Sequence, residues 1–458
     1  MTQSTQGFLE YRNPLTTRYA STAMSRIFSE HHRASLWRRL WIVLAEEQKK
    51  LGLKIRPDQI AEMKKQESKI DFDRVRAWEL KLKHDVMSHV KAFGEATPKA
   101  EAIIHLGATS AFVTDNADVL IIREASELVH QKLCVALAEL RTLIEKWKSV
   151  TASGFTHFQP AQPVTMGKRL SVWAQDLCWD IEEIEFCLSR LRPLGCKGAT
   201  GTQASFLTLF EGDSKKVEAL DLAIAKRLGF ESAVAVSGQT LSRKVDSWFL
   251  DALSHMASTA SKLSYDFRLL QHTGELKEPF GKAQVGSSAM AYKRNPILAE
   301  RLSSLARFLM TLSTNGVWTH GVQWLERSLD DSANRRIVLA EAFLAADAMA
   351  ELLIRLFKKP EIDRKRIQEN LKKYEADFAS EAWMMEQSLK GESRQKAHEK
   401  VRAAKFSGKL TSSKRSKAFG SGLAARQVDL FLKQELNPFL KQRQKQLKKK
   451  MPSSAAAL

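Results

Sequence analysis

KRLSVWAQDLCWDIEEIEFCLSRLR, residues 168–192, sets Leu170, Trp173, Leu177, Ile181, Ile184, Leu188 and Leu191 at steps of three and four. Side chains so spaced share one face of an α-helix, so the segment reads as a single amphipathic helix of about seven turns. The pattern recurs between 242 and 270, where Val245, Phe249, Met256, Leu263, Phe267 and Leu270 lie near one face. Shorter helices are predicted over 295–312 and 333–357, the latter stopped by Pro360, and another is predicted to begin at a cap supplied by Thr109 or Ser110. Helices this long cannot each be buried in a small globule. They predict an all-α bundle whose apolar stripes also pack against neighbouring subunits.

Composition agrees. In 458 residues, 11 Pro and 21 Gly are few, which argues against a loop-rich all-β fold, and 44% apolar residues exclude wholesale disorder. Cys134, Cys178, Cys187 and Cys196 form no CxxC pair, so neither zinc nor a disulfide scaffold is expected, and a reduced, cytoplasmic setting is. No run reaches the ~18 apolar residues of a membrane span, and MTQSTQGFLEYRNPLTTRYAS, residues 1–21, lacks the apolar core of a signal peptide. The net charge of +20 is uneven: after residue 400, 14 Lys and Arg face only Asp429 and Glu435. Such a tail can attract nucleic acid or an anionic surface. Its KQRQKQLKKK run (441–450) has no interleaved aromatics to stack bases, so it reads as a solvated, frayed helix end rather than a nucleic-acid site. The Ser/Lys/Gly-rich segment 405–422 is predicted to be a loop.

Between the helices lie polar segments that hold the chemistry: HLGATS (105–110), SGFTHFQPAQP (153–163), KGATGTQASF (197–206), SGQTLSRK (237–244) and VGSSAMAYKRNP (285–296). None has the spacing of a phosphate-binding glycine loop, and no HExxH or paired-carboxylate motif occurs. In VGSSAMAYKRNP, Gly286 frees the backbone before Ser287 and Ser288. Lys293 lies six residues past Ser287, and Asn295-Pro296 opens a helix. A serine hydroxyl is a poor base unless its alkoxide is stabilised, and backbone N–H groups, a helix N-terminus and an ammonium could do that. His157, between Thr156 and Gln159, is read as an imidazole in a polar loop suited to proton transfer. LERSLDDSANRR (325–336) reads as a helix start capped by Asp331 or Ser332. Ser332 and Arg336 then share a face that, with Arg327, could bind phosphate. KLKHDVMSH (81–89) reads as a helical run with His84 and Asp85 adjacent.

Together these segments resemble the adenylosuccinate lyase family of the fumarase/aspartase superfamily, over nearly the whole chain. GSSAMAYKRNP (286–296) matches the superfamily signature GSSxMxxKxNP, and the RYAS, HDVMSH and DDSANRR runs are similar to the animal-type branch. Beyond about Arg364 the likeness falls away, apart from GESRQKAHEKVR (391–402). The resemblance implies a C–N lyase of purine biosynthesis that eliminates fumarate from adenylosuccinate, giving AMP. It implies the same cleavage of succinyl-aminoimidazole-carboxamide ribotide (SAICAR), giving AICAR. It implies no cofactor and no metal. It also implies a three-domain protomer (1–110, 111–363 and 364–458) and a homotetramer with a twenty-helix core, each active site shared by three subunits.

By that similarity Ser287 is the general base and His157 the general acid. Lys293 and Asn295 hold the substrate carboxylates and the developing charge, helped by Thr109, Ser110, Thr156, Gln239 and Ser288. Arg18, Tyr19, Arg327, Ser332 and Arg336 bind the phosphate, and His84, Asp85 and Arg301 line the nucleotide pocket, with His84 counted among the catalytic groups. Two positions depart from the family pattern. Ala291 stands where proline is usual, which loosens the loop entropically. Lys83 stands where arginine is usual, which loses a bidentate contact. Argininosuccinate cleavage or fumarate hydration, other reactions of the superfamily, would leave the phosphate set Arg18, Arg327, Ser332 and Arg336 unpaired. A non-catalytic scaffold using the basic tail would leave every reacting group without a role.

Overall fold

The computed structural model describes residues 9–407 and 420–448. After a π-helical turn at Leu15–Tyr19, the chain forms α1 (Thr22–Ile27), α2 (Glu30–Lys50), α3 (Pro57–Lys65), α4 (Phe72–Leu82) and α5 (Asp85–Ala96). The longest helix, α6 (Ser110–Trp147), leads into a hairpin of β1 (Thr151–Thr156) and β2 (Gln159–Thr165), then α7 (Met166–Arg190). Two short helices, α8 (Ala204–Leu209) and α9 (Ser214–Arg227), precede α10 (Lys244–His272), α11 (Ile297–Leu312), α12 (Thr314–Gly321) and α13 (Asp331–Lys358). The chain continues with α14 (Arg364–Lys373), α15 (Glu375–Leu389), α16 (Arg394–Phe406), α17 (Ala424–Phe431) and α18 (Asn437–Gln442). Besides the hairpin, β3 (Leu276–Lys277) pairs with β4 (Glu361–Ile362), and the fold is all-α as expected. Among the described residues no helix is long and apolar enough to cross a membrane.

The apolar stripes form the core. Leu170, Trp173, Leu177, Ile181, Ile184 and Leu191 are buried, and Leu188 packs against them half-buried. The six stripe residues of α10 are buried too. α6, α7, α10, α11 and α13 pack together as one bundle. Cross-links between them fix their directions. Arg243 reaches Asp115 and Arg335 reaches Asp246, so α6, α10 and α13 start at one end and run parallel. Trp173 donates to Asp266 and Cys187 meets Trp248, so α7 runs against α10. α11 also runs against it, its start held by the Glu278 carboxylate, which accepts from the backbone of Leu298 and Ala299. In the bundle's middle, fully buried Lys132 pairs with Asp347 at 2.5 Å and with Glu351 at 2.7 Å, and Asp347 also accepts from Ser21 N at 2.7 Å. That contact ties the segment bearing Arg18 and Tyr19 to α13.

A second apolar core joins α2, α3, α5 and the first turns of α6 to Phe206, Phe210, Val217, Leu220, Ile224 and Leu228 of α8, α9 and their flanks. Residues far apart in sequence thus meet at the end of the bundle where α6 begins.

Some local readings need correction. KLKHDVMSH is not one helix: Lys83 adopts φ 53°, which ends α4, and the His84 imidazole caps α5 by accepting from Met87 N at 3.3 Å. Neither Asp331 nor Ser332 caps α13, because Asp330 holds that position and the Asp331 carboxylate is drawn sideways to Arg243. The segment holding His157 is a β-hairpin, in which Thr156 pairs with Gln159. Most of the expected loop over 405–422 lies outside the described residues, as do Lys449 and Lys450 of the basic run.

Candidate active site

Four helix N-termini converge on one cavity of about 560 Å³: those of α5, α6, α10 and α13. The unpaired N–H groups and dipoles of helix starts favour anions, so their convergence makes a site for a polyanion. The cavity wall includes Lys83, His84, Asp85, Ser110, Gln239, Arg327, Ser332 and Arg336. Thr109 holds the cap position of α6 beside Ser110. Among the described residues, Arg33, Lys83 and Arg327 of the lining have no ion-pair partner, leaving three cations open to a ligand. Arg336 donates to Asp85. Burial raises the Asp85 carboxyl, but the hydrogen bond and charge of Arg336 outweigh it and hold it below the ordinary range. Behind this wall, burial and the charge of His84 push His105 down to about 4, and its Nδ1 accepts from Trp41 Nε1 at 2.8 Å.

The other expected site residues lie elsewhere in the protomer. α6 spans 38 residues, roughly 57 Å at 1.5 Å per residue, and the β1–β2 hairpin follows its far end. His157 and Phe158 form the two-residue turn at the hairpin's tip, both left-handed at φ 55° and 56°. Such turns ordinarily draw Asn-Gly, so the strained pair presents an exposed imidazole. Phe155 packs edge-on against Tyr374, and Gln162 donates to Glu381, so α14 and α15 brace the hairpin.

The Ser287 loop joins the far end of α10 to the start of α11. Ser287 Oγ accepts from the backbone N–H of Met290 at 3.1 Å and of Ala289 at 3.3 Å, donors that would stabilise an alkoxide. Asn295 Nδ2 donates to Gly286 O at 2.9 Å, closing the loop, while Ser288 and Lys293 are exposed. Arg18 is exposed and Tyr19 half-buried, with Arg301 lying over the Tyr19 ring at 5.6 Å from its centroid. One protomer therefore brings eight of the expected residues into the cavity. Thr109 sits beside it at the cap of α6, and His157, Thr156, Ser287, Ser288, Lys293, Asn295, Arg18, Tyr19 and Arg301 stay outside it.

Sequence reading missed the cavity's floor. Arg243 joins Asp115 and Asp331, and Arg335 joins Asp118 and Asp246. Burial raises the Asp115 carboxyl, but the charges of Arg243 and Arg335 and the hydrogen bonds from Arg243 and Leu241 N outweigh it and hold it low. The signal was present in AFVTDNADVLII (111–122), where two acids interrupt an apolar helix face.

A core of long parallel and antiparallel helices with polar loops at both ends defines a class, and the comparisons agree with it. The chain belongs to the lyase family, whose family model matches residues 30–310. It is similar in fold to 3-carboxy-cis,cis-muconate lactonizing enzyme from Pseudomonas putida, at TM-score 0.80 and 22% identity, covering 95% of this chain and 100% of that one. It is likewise similar to fumarate lyase from Mesorhizobium sp. BNC1, at TM-score 0.77 and 21% identity, covering 93% and 100%.

Within that class the chain is similar to adenylosuccinate lyases. That of Saccharomyces cerevisiae is 46% identical over 395 residues, 86% of this chain and 82% of the relative. That of Schistosoma mansoni is 52% identical over 347 residues, 76% and 72% of the two.

Proposed function

We propose that this chain is an adenylosuccinate lyase working in the cytoplasm as a homotetramer with shared active sites. The observation that carries the reading is the four-helix-start cavity, rimmed by Lys83, Arg327, Ser332 and Arg336. A ligand with one phosphate and two carboxylates suits such a site. The relatives' shared activity supports the same substrate. We divide the protomer at 1–110, 111–363 and 364–458.

The reaction is a β-elimination. Ser287, as alkoxide, takes a proton from the carbon between the succinyl carboxylate and the C–N bond. The carbanion's charge spreads into that carboxylate, facing Lys293 and Asn295. His157 then protonates the departing nitrogen as the C–N bond breaks, releasing fumarate and AMP, or fumarate and AICAR when SAICAR is bound. Thr109, Ser110, Thr156, Gln239 and Ser288 assist at the carboxylates. Arg18, Tyr19, Arg327, Ser332 and Arg336 take the phosphate, and His84, Asp85 and Arg301 line the nucleotide pocket. The hairpin follows the far end of α6 and the Ser287 loop the far end of α10, both away from the cavity, so His157 and Ser287 reach the substrate in a given cavity from neighbouring protomers. The exposed stripe Val172, Trp179, Phe186, each seven residues apart, supplies apolar surface for that assembly.

Side-by-side turnover of adenylosuccinate, argininosuccinate and malate tests the reading. Adenylosuccinate alone should be consumed rapidly. Turnover of either other compound at a comparable rate, with none on adenylosuccinate, would overturn it.

A further inference from the structure

The cavity floor holds two arginines against four aspartates, a poor arrangement if stability were its purpose. Buried ion pairs are often neutral or worse beside apolar packing of the same volume, and here Asp331 keeps one buried oxygen, Oδ1, with no partner. What the cluster does do is join the chain segments that carry the substrate contacts. Arg243 is 3% exposed. Its Nη1 and Nη2 donate to Asp115 at 2.9 and 3.3 Å, and its Nε donates to Asp331 at 2.6 Å. Asp115 Oδ2 also accepts from Leu241 N at 2.7 Å. Asp115 lies five residues after Ser110, Arg243 four after Gln239, and Asp331 immediately before Ser332 and five before Arg336.

We infer that Arg243 is a positioning residue: its planar guanidinium fixes the spacing of the Ser110, Gln239 and Ser332/Arg336 segments around the bound substrate. It acts through those residues rather than on the reacting atoms. A fork of rigidly disposed donors can hold two carboxylates at a set angle, which a single lysine ammonium on a flexible stem cannot. Arg335, meeting Asp246 at 2.6 Å and Asp118 at 3.0 Å, repeats the joint one turn further along α13 and keeps the helices together when Arg243 is changed. The inference rests on the lyase reading above, so wild-type turnover of adenylosuccinate is measured first. Its absence would remove both.

Given wild-type turnover, full-length Arg243→Lys and Asp331→Asn are compared with it for KM, kcat and thermal melting. Arg243→Lys keeps the charge and loses the fork. Asp331→Asn keeps the shape and frees only the Ser332/Arg336 side. Each should raise KM for adenylosuccinate at least about tenfold, with melting within a few degrees of wild type. The Asp331→Asn effect should fall on KM with kcat changed less than about threefold. A KM within twofold of wild type in both folded variants would overturn the inference and leave a purely structural ion pair. If Arg243→Lys does not fold, Asp331→Asn decides alone by the same criterion.

Discussion

Replacing Gly286 by alanine tests the geometry around the proposed base. A Cβ there would lie 2.0 Å from Lys293 O, 3.1 Å from Lys293 C and 3.2 Å from Arg294 Cα. Carbon and oxygen ordinarily approach to about 3.3 Å, so the two sides of the loop must part by roughly 1.3 Å. Backbone, not a flexible side-chain tip, has to move. Ser287 is the next residue, and the Asn295-to-Gly286 bond at 2.9 Å closes the same turn, so the shift passes directly to Oγ and to Asn295. A misplacement of about 1 Å at a reacting group reduces rate on the order of 100-fold, equivalent to about 2.7 kcal/mol of barrier. Because most of the loop is exposed, with Gly286 and Ser287 half-buried, and it lies outside both cores, global stability should change by no more than about 1–2 kcal/mol. Steady-state kinetics and a thermal scan on one preparation read both quantities. A kcat within threefold of wild type would refute the claim that this loop's tight closure sets the base.

Other perturbations give equally definite outcomes. Lys293 N donates to Met290 O at 3.0 Å, which makes Ala291 the second residue of a turn where proline is favoured. Ala291→Pro should stiffen the free loop by about 0.4–1 kcal/mol and slow tryptic cleavage after Lys293 and Arg294; unchanged cleavage would show that the loop is already held. On the proposed role of Arg336 at the substrate phosphate, Arg336→Gln removes a charge-assisted contact of about 1.5–3 kcal/mol and should raise KM about 10- to 100-fold. An unaltered KM would exclude Arg336 from the phosphate set.

Burial, with the charge of Arg38, lowers His89 to about 4, and burial with the charge of His84 lowers His105 to about 4. In both, the unfolded chain binds the proton more readily than the native one between about pH 6.5 and pH 4. The contribution of each neutral histidine to stability is therefore full above pH 6.5 and is lost through that window, by up to about 3 kcal/mol per histidine. From pH 7 to pH 4.5 the denaturant midpoint of wild type should fall relative to that of a His89→Gln/His105→Gln double variant, in which Asp180, raised to about 7 by burial, still titrates. Identical profiles would refute it.

The parts of the fold readable in advance are those where one periodic signal acts alone. Leu170 to Leu191 and Val245 to Leu270 repeat at helical spacing, and nothing local competes with burial. The hairpin was hidden because Pro160 and Pro163 sit in β2, where proline argues against a strand, and because a His-Phe turn lacks the Asn-Gly signature. The break at Lys83 carries no glycine, the usual signal of a left-handed helix end. The site divides the same way. Ser287, Lys293 and Asn295 stood out because a short motif gathers them in sequence. Asp115, Arg243 and Asp331 are over 80 residues apart pairwise and meet only when α6, α10 and α13 align at their starts. No local pattern encodes that alignment.

We propose that each site draws its base and its acid from different protomers. Ser287→Ala and His157→Ala proteins, each inactive alone, can be unfolded together, mixed in equal amounts and refolded. If the groups come from different chains, the mixed assemblies should recover about a quarter of the wild-type rate, the chance that a site receives both intact residues. Mixed assemblies, confirmed by native mass spectrometry, whose rate does not exceed that of the parents would contradict it.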